Sequence, residues 1–291
     1  MKREREGELF VVILCLLESW FPILALFAIP VIGALYSYAL VITVATAVLI
    51  CILIWKKQLH LLLLPEAQKD LLLTSFFITL LFVLIFLGLQ YTTAGNMAVI
   101  IFLQLLFSYL YFNVFGSEKM TLLHTWGALL MGIGAVVVLF PEELTLNRGD
   151  WLILPAAAVA PVANLYQKRA RRYVSSMTIL TYRNLAALPF VSLLAWSLEP
   201  QPGLQTLQGA LPYIIAIALL VYVAAKILWV EALHRISITK VSALTAVLPI
   251  FTLFFAYIVL NEVPSIRQLA GILPILVGGY LITRPEPSQA T

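Results

Sequence analysis

The chain has 291 residues, 62% hydrophobic and 11% charged, with a formal charge of +4. Soluble domains carry about 25% charged residues, so a water-soluble enzyme is excluded and a membrane-embedded chain is expected. A bilayer core of about 30 Å takes roughly 20 helical residues, and ten such spans would use about 200 residues, leaving only short loops.

The basic and acidic start, Lys2 to Glu6, followed by apolar Leu9 to Leu17, has the order of a secretory leader. Glu18, Trp20 and Pro22 continue that run without a small-residue cleavage site, so it reads as a retained first helix. Apolar runs bounded by charge, proline or turn residues then predict ten spans: Leu9–Ala28, Pro30–Trp55, Leu71–Leu89, Thr93–Phe115, Leu122–Phe140, Trp151–Leu165, Ser176–Leu198, Leu211–Leu233, Ser237–Leu260 and Ile266–Thr283. The sixth is short and holds Pro155 and Pro161, which predicts either a kink or an extension toward Lys168.

The basic residues set the orientation. With a cytoplasmic amino terminus, fourteen of the 18 Lys and Arg fall in inside loops, only Arg148 and Arg267 fall outside, and Arg183 and Lys226 lie within spans. This asymmetry predicts that both termini are cytoplasmic and that the chain sits in the cytoplasmic (inner) membrane. The basic balance is topological and implies no nucleic acid. Cys15 and Cys51 lie in apolar runs as packing residues, and His60, His124 and His234 are scattered without partner ligands, so no metal or other cofactor is expected.

Displacing the chain by 144 residues aligns Tyr38 with Tyr182, Leu89 with Leu233, Phe107 with Phe251, Glu118 with Glu262, Gly127 with Gly271 and Gly134 with Gly278. Glu and Gly, rare in this composition, match in the same turn-plus-helix setting. A repeat of five spans is odd, so the second copy must insert upside down, the inverted arrangement of secondary transporters. The repeats are expected at 1–140 and 141–291.

Leu248-Pro249-Ile250-Phe251, Leu260-Asn261-Glu262-Val263, Gln268 to Gly271 and Gly278-Gly279-Tyr280-Leu281 resemble the end of an EamA repeat of the drug/metabolite transporter superfamily. Gly116 to Lys119, Trp126-Gly127 and Gly132-Ile133-Gly134 match them in the first half. The resemblance implies ten helices, a central cavity between the repeats, and alternating access without ATP. The sequence departs from the family at Leu105, where the fourth span lacks the proline kept at Pro249, and at Glu18, whose acid is not a general family feature.

Glu18, Arg183 and Lys226 are the charges expected deep within spans, at depths of roughly 13 Å and, for the last two, roughly 10 Å at about 1.5 Å per residue. Each would cost about 2.5–3.5 kcal/mol facing lipid, so they should face a cavity or each other. Glu18 is either a proton carrier or cation anchor, or one half of a fixed ion pair. Arg183, flanked by Tyr182 and Asn184, either takes a substrate carboxylate or phosphate with its fork, or snorkels to the surface. Lys226 shares a helical stripe with Tyr222 and Trp229, a binding wall or plain packing. Asn96 and Gln104 are further polar candidates or interhelical glue, Trp20 with Pro22 shapes a wall or kink, and Glu118 and Glu262 suit helix N-termini.

No phosphate-binding loop, dinucleotide fingerprint or nucleophile elbow occurs. The expectation is a non-enzymatic secondary transporter, an exporter or exchanger of a small-molecule metabolite such as an amino acid or other small carboxylate, with the proton as a possible coupling ion and oligomeric state open. The alternatives are a multidrug or organic-cation exporter binding through Glu18, and a membrane-embedded transferase. For the topology, a single cysteine at Arg172 in a cysteine-free background should react with an impermeant reagent only from the cytoplasmic side; labelling from outside would sink the ten-span reading.

Overall fold

Without water to satisfy backbone N–H and C=O groups, an apolar run in hydrocarbon must coil, and each coil shows one stripe to lipid and another to its neighbours. The first run does this: Val11, Leu14 and Cys15 are buried, while Leu9, Val12, Ile13 and Leu16 face outward. The computed structural model describes residues 2–114, 122–139, 147–236, 238, 241, 244–245 and 248–283, and every element among them is helical.

The elements are α1 (Lys2–Glu18), α2 (Phe21–Ile32), α3 (Ala34–Trp55), α4 (Pro65–Leu89), α5 (Ala94–Phe102), α6 (Gln104–Tyr109), α7 (Leu122–Leu139), α8 (Arg148–Ala170), α9 (Ser176–Leu198), α10 (Leu204–Ala216), α11 (Lys226–Arg235), α12 (Leu248–Leu260) and α13 (Ile266–Thr283). Among the described residues, six stretches are long and apolar enough to cross a membrane: Glu4–Ile32, Ala34–Trp55, Pro65–Leu89, Ala94–Phe112, Ser176–Leu198 and Leu204–Arg235. Leu248–Leu260 and Ile266–Leu281 are shorter apolar helices beside them. The chain is a multi-pass membrane protein.

One expected boundary moves. The sequence divides the first two runs between Ala28 and Pro30, but α2 carries Pro30 inside it, and the turn falls at Gly33, with φ 88°. Only glycine takes that backbone without strain, and a Cβ there would meet the Glu199 carboxylate. The sixth run takes the second of its two expected forms: α8 extends past Lys168 to Ala170, through Pro155 and Pro161.

Helix pairing crosses between the halves. α1 lies on α11, α2 on α10, α3 on α9, α4 on α8, α5 on α12, and α7 on α13. Exchanging the halves returns the same set of pairs, and the displacement of 144 residues carries Leu122–Leu139 onto Ile266–Thr283. Small residues permit the closest crossings: a Cβ on Gly88 would meet Ile153 at 2.6 Å and the Gly149 carbonyl at 3.0 Å, and one on Gly134 would meet the Gly271 carbonyl at 2.6 Å.

Polar groups concentrate at the two ends of the bundle. At one end, where α3, α5 and α8 begin, Glu199 accepts from the N–H groups of Ala34 (2.9 Å), Leu35 (2.9 Å) and Tyr36 (3.0 Å), and Glu262 from those of Ala94 (3.3 Å) and Gly95 (3.0 Å). These carboxylates satisfy free donors at helix N-termini, where the dipole favours negative charge. At the other end Glu231 accepts from Arg171 Nη2 (2.9 Å), Ser176 and Arg235, tying α8, α9 and α11 together.

Because Glu199 satisfies three N–H groups of a helix from the other half, Glu199→Ala should lower stability by about 1–2 kcal/mol. A thermal unfolding midpoint in detergent would report it, with outward-facing Trp196→Ala as a control that moves little.

Candidate functional site

Three helices lose their regular winding beside a polar residue. α1 ends at Glu18, and Ser19 and Trp20 separate it from α2. Leu103 separates α5 from α6, which starts at Gln104. Ile217–Ala225 winds as a π-helix, and α11 starts directly after it at Lys226. Such interruptions free backbone groups and re-aim side chains, and they recur where a helix serves a site.

Glu18, Gln104 and Lys226 all line one internal cavity, together with Asn164, Gln167, Arg183, Trp229 and Pro249. Lys226 Nζ donates to Glu18 Oε1 in an ion pair whose side chains are 14% and 12% exposed. The ammonium also stands 5.4 Å from the centre of the Phe82 ring and 5.5 Å from that of Trp229. A charge so enclosed is stabilised by its counter-ion and by the negative faces of both rings.

Arg183 projects from α9 and is 2% exposed, so it does not snorkel. Its Nη1 donates to Gln167 Oε1 at 3.2 Å, while Nε and Nη2 are buried without a partner. Gln167 Nε2 donates to Asn164 Oδ1 at 3.2 Å, and Trp229 Nε1 donates to the same oxygen at 3.0 Å. Asn164 and Gln167, three residues apart on α8, thus bind the arginine of α9 to the indole of α11. Both lie on α8, and Gln167 falls in the stretch between Leu165 and Lys168 that only the extended form of the run takes in. A polar pair at helical spacing on an otherwise apolar face was the available signal.

The remaining candidates stand off the cavity. Trp20 stacks on Phe255 with ring centres 4.6 Å apart, a wall between α2 and α12. Tyr182 donates to Gln68 Oε1 at 2.9 Å, about 100° around α9 from the arginine that follows it. Tyr222 packs 4.9 Å from Phe82 and 6.1 Å from Tyr38, behind the lining. Asn96 belongs to the bundle end: it donates to Asp150 Oδ2 at 3.2 Å and accepts from Gln268 Nε2 at 2.7 Å. Buried Asp150, also bonded by Thr92, was not singled out in the sequence because it opens α8 next to Arg148 and reads as a helix start. Of the repeat residues, Gly127 and Gly271 are buried and Glu262 caps α5, while Glu118 lies outside the described residues.

Among the described residues lining the cavity, Glu18, Arg183 and Lys226 are the charged ones, and with Glu18 and Lys226 paired the balance is +1, held on Arg183. A buried guanidinium with two free N–H edges is a receptor for a planar anion. No cluster of His, Cys, Asp and Glu able to hold a metal occurs among the described residues.

The family profile described as the EamA-like transporter family matches residues 5–140 and again 147–284. The chain is 21% identical over 200 residues to an uncharacterized transporter, YoaV, of Bacillus subtilis (strain 168), covering 67% of this chain and 68% of that one. It is 26% identical to a WAT1-related chloroplastic protein of Arabidopsis thaliana, covering 68% of this chain and half (50%) of the plant protein. An uncharacterized transporter of Archaeoglobus fulgidus is 26% identical over 72% of this chain and 73% of its own. A solved crystal structure shares the fold, with a TM-score of 0.69 at 18% identity over 95% of this chain and 96% of the other.

If the pair is as tightly coupled as its burial implies, removing one partner strands the other. Glu18→Gln or Lys226→Met alone should each destabilise by about 3–5 kcal/mol, and the double variant should recover most of the loss. Thermal unfolding of the four proteins measures the coupling; a double variant as weak as the two losses added would overturn it.

Proposed function

We infer, from the premise that this chain belongs to the EamA-like transporter family, that it is a secondary transporter carrying a small carboxylate across the cytoplasmic (inner) membrane, as an exporter or exchanger. In this reading ten spans form two inverted repeats, 1–140 and 141–291, around the cavity, with both termini cytoplasmic. The exchange symmetry of the helix pairs supports the inverted arrangement. The cavity lies between the halves, with polar clusters at both ends of the bundle, an arrangement that supports alternating access.

The observation that carries the substrate class is Arg183, 2% exposed and with Nε and Nη2 unpartnered. A substrate carboxylate supplies both the missing acceptors and the missing charge. The organic-cation reading needs a free acid, and Glu18 is already held by Lys226. For the same reason the pair supports Glu18 as a brace more than as a proton carrier. The membrane-embedded transferase finds no support in the relatives, two of which carry the name transporter.

The test is flux in proteoliposomes, using L-valine and 3-methylbutanoate, each against its neutral amide. Arg183→Gln should raise the KM for the transported acid roughly 10–100-fold, the effect expected for losing a hydrogen bond to a charged group, and leave the amide unchanged. Unaltered acid transport in that variant, or wild-type preference for quaternary ammonium compounds, would overturn the reading.

A further inference from the structure

We propose that the substrate is a small apolar monocarboxylate without an ammonium group rather than a zwitterionic amino acid. The inference rests on the carboxylate reading above and narrows it.

The charge inventory comes first. Arg183 can receive one carboxylate, and the cavity then balances with Glu18 and Lys226 left in their pair. An amino acid would bring an added ammonium, which needs several acceptors once it leaves water. A zwitterion carries no net charge, so it would also leave the +1 of the cavity unbalanced. Glu18 already bears Lys226 on Oε1, and that ammonium is further fixed between the rings of Phe82 and Trp229. Asn164 Oδ1 accepts from both Gln167 and Trp229, and Gln167 Oε1 accepts from Arg183 itself. The amide of Gln104 offers a neutral carbonyl and no counter-charge. A substrate ammonium would therefore have to share Glu18 with Lys226, which is tethered to the site and competes at the high effective concentration of an intramolecular partner.

The walls and the size of the cavity point the same way. Of the 21 described lining residues fourteen are apolar, among them Phe21, Ile78, Leu81, Phe82 and Ile101, so the body of the ligand meets hydrocarbon. The space is small, about 90 Å³, on the order of three waters at about 30 Å³ each. A short branched acid such as 3-methylbutanoate sets one carboxylate on a short apolar body.

The experiment is equilibrium binding to the purified full-length protein by calorimetry, with four matched probes: 3-methylbutanoate, its amide, L-valine and isobutylamine. The acid should bind at least about tenfold more tightly than each of the others, since each lacks the carboxylate or adds a charge without an acceptor. L-valine binding as tightly as or more tightly than 3-methylbutanoate, with the amide weak, would overturn the present inference and leave the carboxylate reading standing. The amide or isobutylamine matching the acid would overturn both. Absence of binding by 3-methylbutanoate at millimolar concentration would overturn the present inference. A second measurement uses Lys226→Met, which releases Glu18: the ratio of valine to acid affinity should then shift at least about tenfold toward valine, and an unchanged ratio would show that Lys226 does not exclude the ammonium.

Discussion

A charge in hydrocarbon must find a counter-charge, and the interior of this protein is arranged around that requirement. Among the described residues three charges enter the middle of the bundle, and two of them cancel: Lys226 of the second half on Glu18 of the first. The third, Arg183, is left with an amide for a partner. The Glu18–Lys226 pair joins α1 to α11, which also pack along their length, so it is both a contact between halves and the boundary of the cavity. Everything the site can select follows from the charge that remains.

The arginine is positioned, not merely buried. α8 offers Asn164 and Gln167 on one face, and their amides fix one edge of the guanidinium and the indole of Trp229 in the same chain of hydrogen bonds. Asn164 lies about one turn and Gln167 about two turns beyond Pro161, inside a helix that two prolines do not break. Membrane helices tolerate such prolines because neighbours re-satisfy the freed carbonyls. The cavity wall thus gains its polarity from a helix that packs closely on α4, with Gly149 and Ile153 against Gly88.

The all-helical architecture was legible in the apolar runs, since twenty consecutive apolar residues leave few other structures available. Glu18, Arg183 and Lys226 were legible for the same reason, because a charge within such a run is costly and therefore conspicuous. That they would face a cavity or one another was legible too, but the choice of partner was not. Nothing in the spacing says that Glu18 takes Lys226 and not Arg183, or that Gln167 holds Arg183. Tyr222 shares a three-and-four spacing with Lys226 and Trp229 in the text of the sequence, but that spacing presumes α-helical winding. The turn at Gly33 was also hidden: Pro30 is the more conventional breaker, whereas the glycine is required by a carboxylate 166 positions later (199 less 33).

The π-helical stretch Ile217–Ala225 has a bearing on how this family member can drift in length. A π turn arises when a helix accommodates an extra residue without unwinding, so it stores an insertion in the middle of a membrane span. Lys226 and Trp229 follow it directly, and the wider winding absorbs the stored residue before the helix reaches them. Losing one residue there would return the stretch to ordinary winding with Lys226 and Trp229 still facing as they do, whereas a residue lost from a regular α-helical stretch turns everything downstream by about 100°, a single α-helical step. This stretch can therefore change its residue count while the ammonium stays on Glu18.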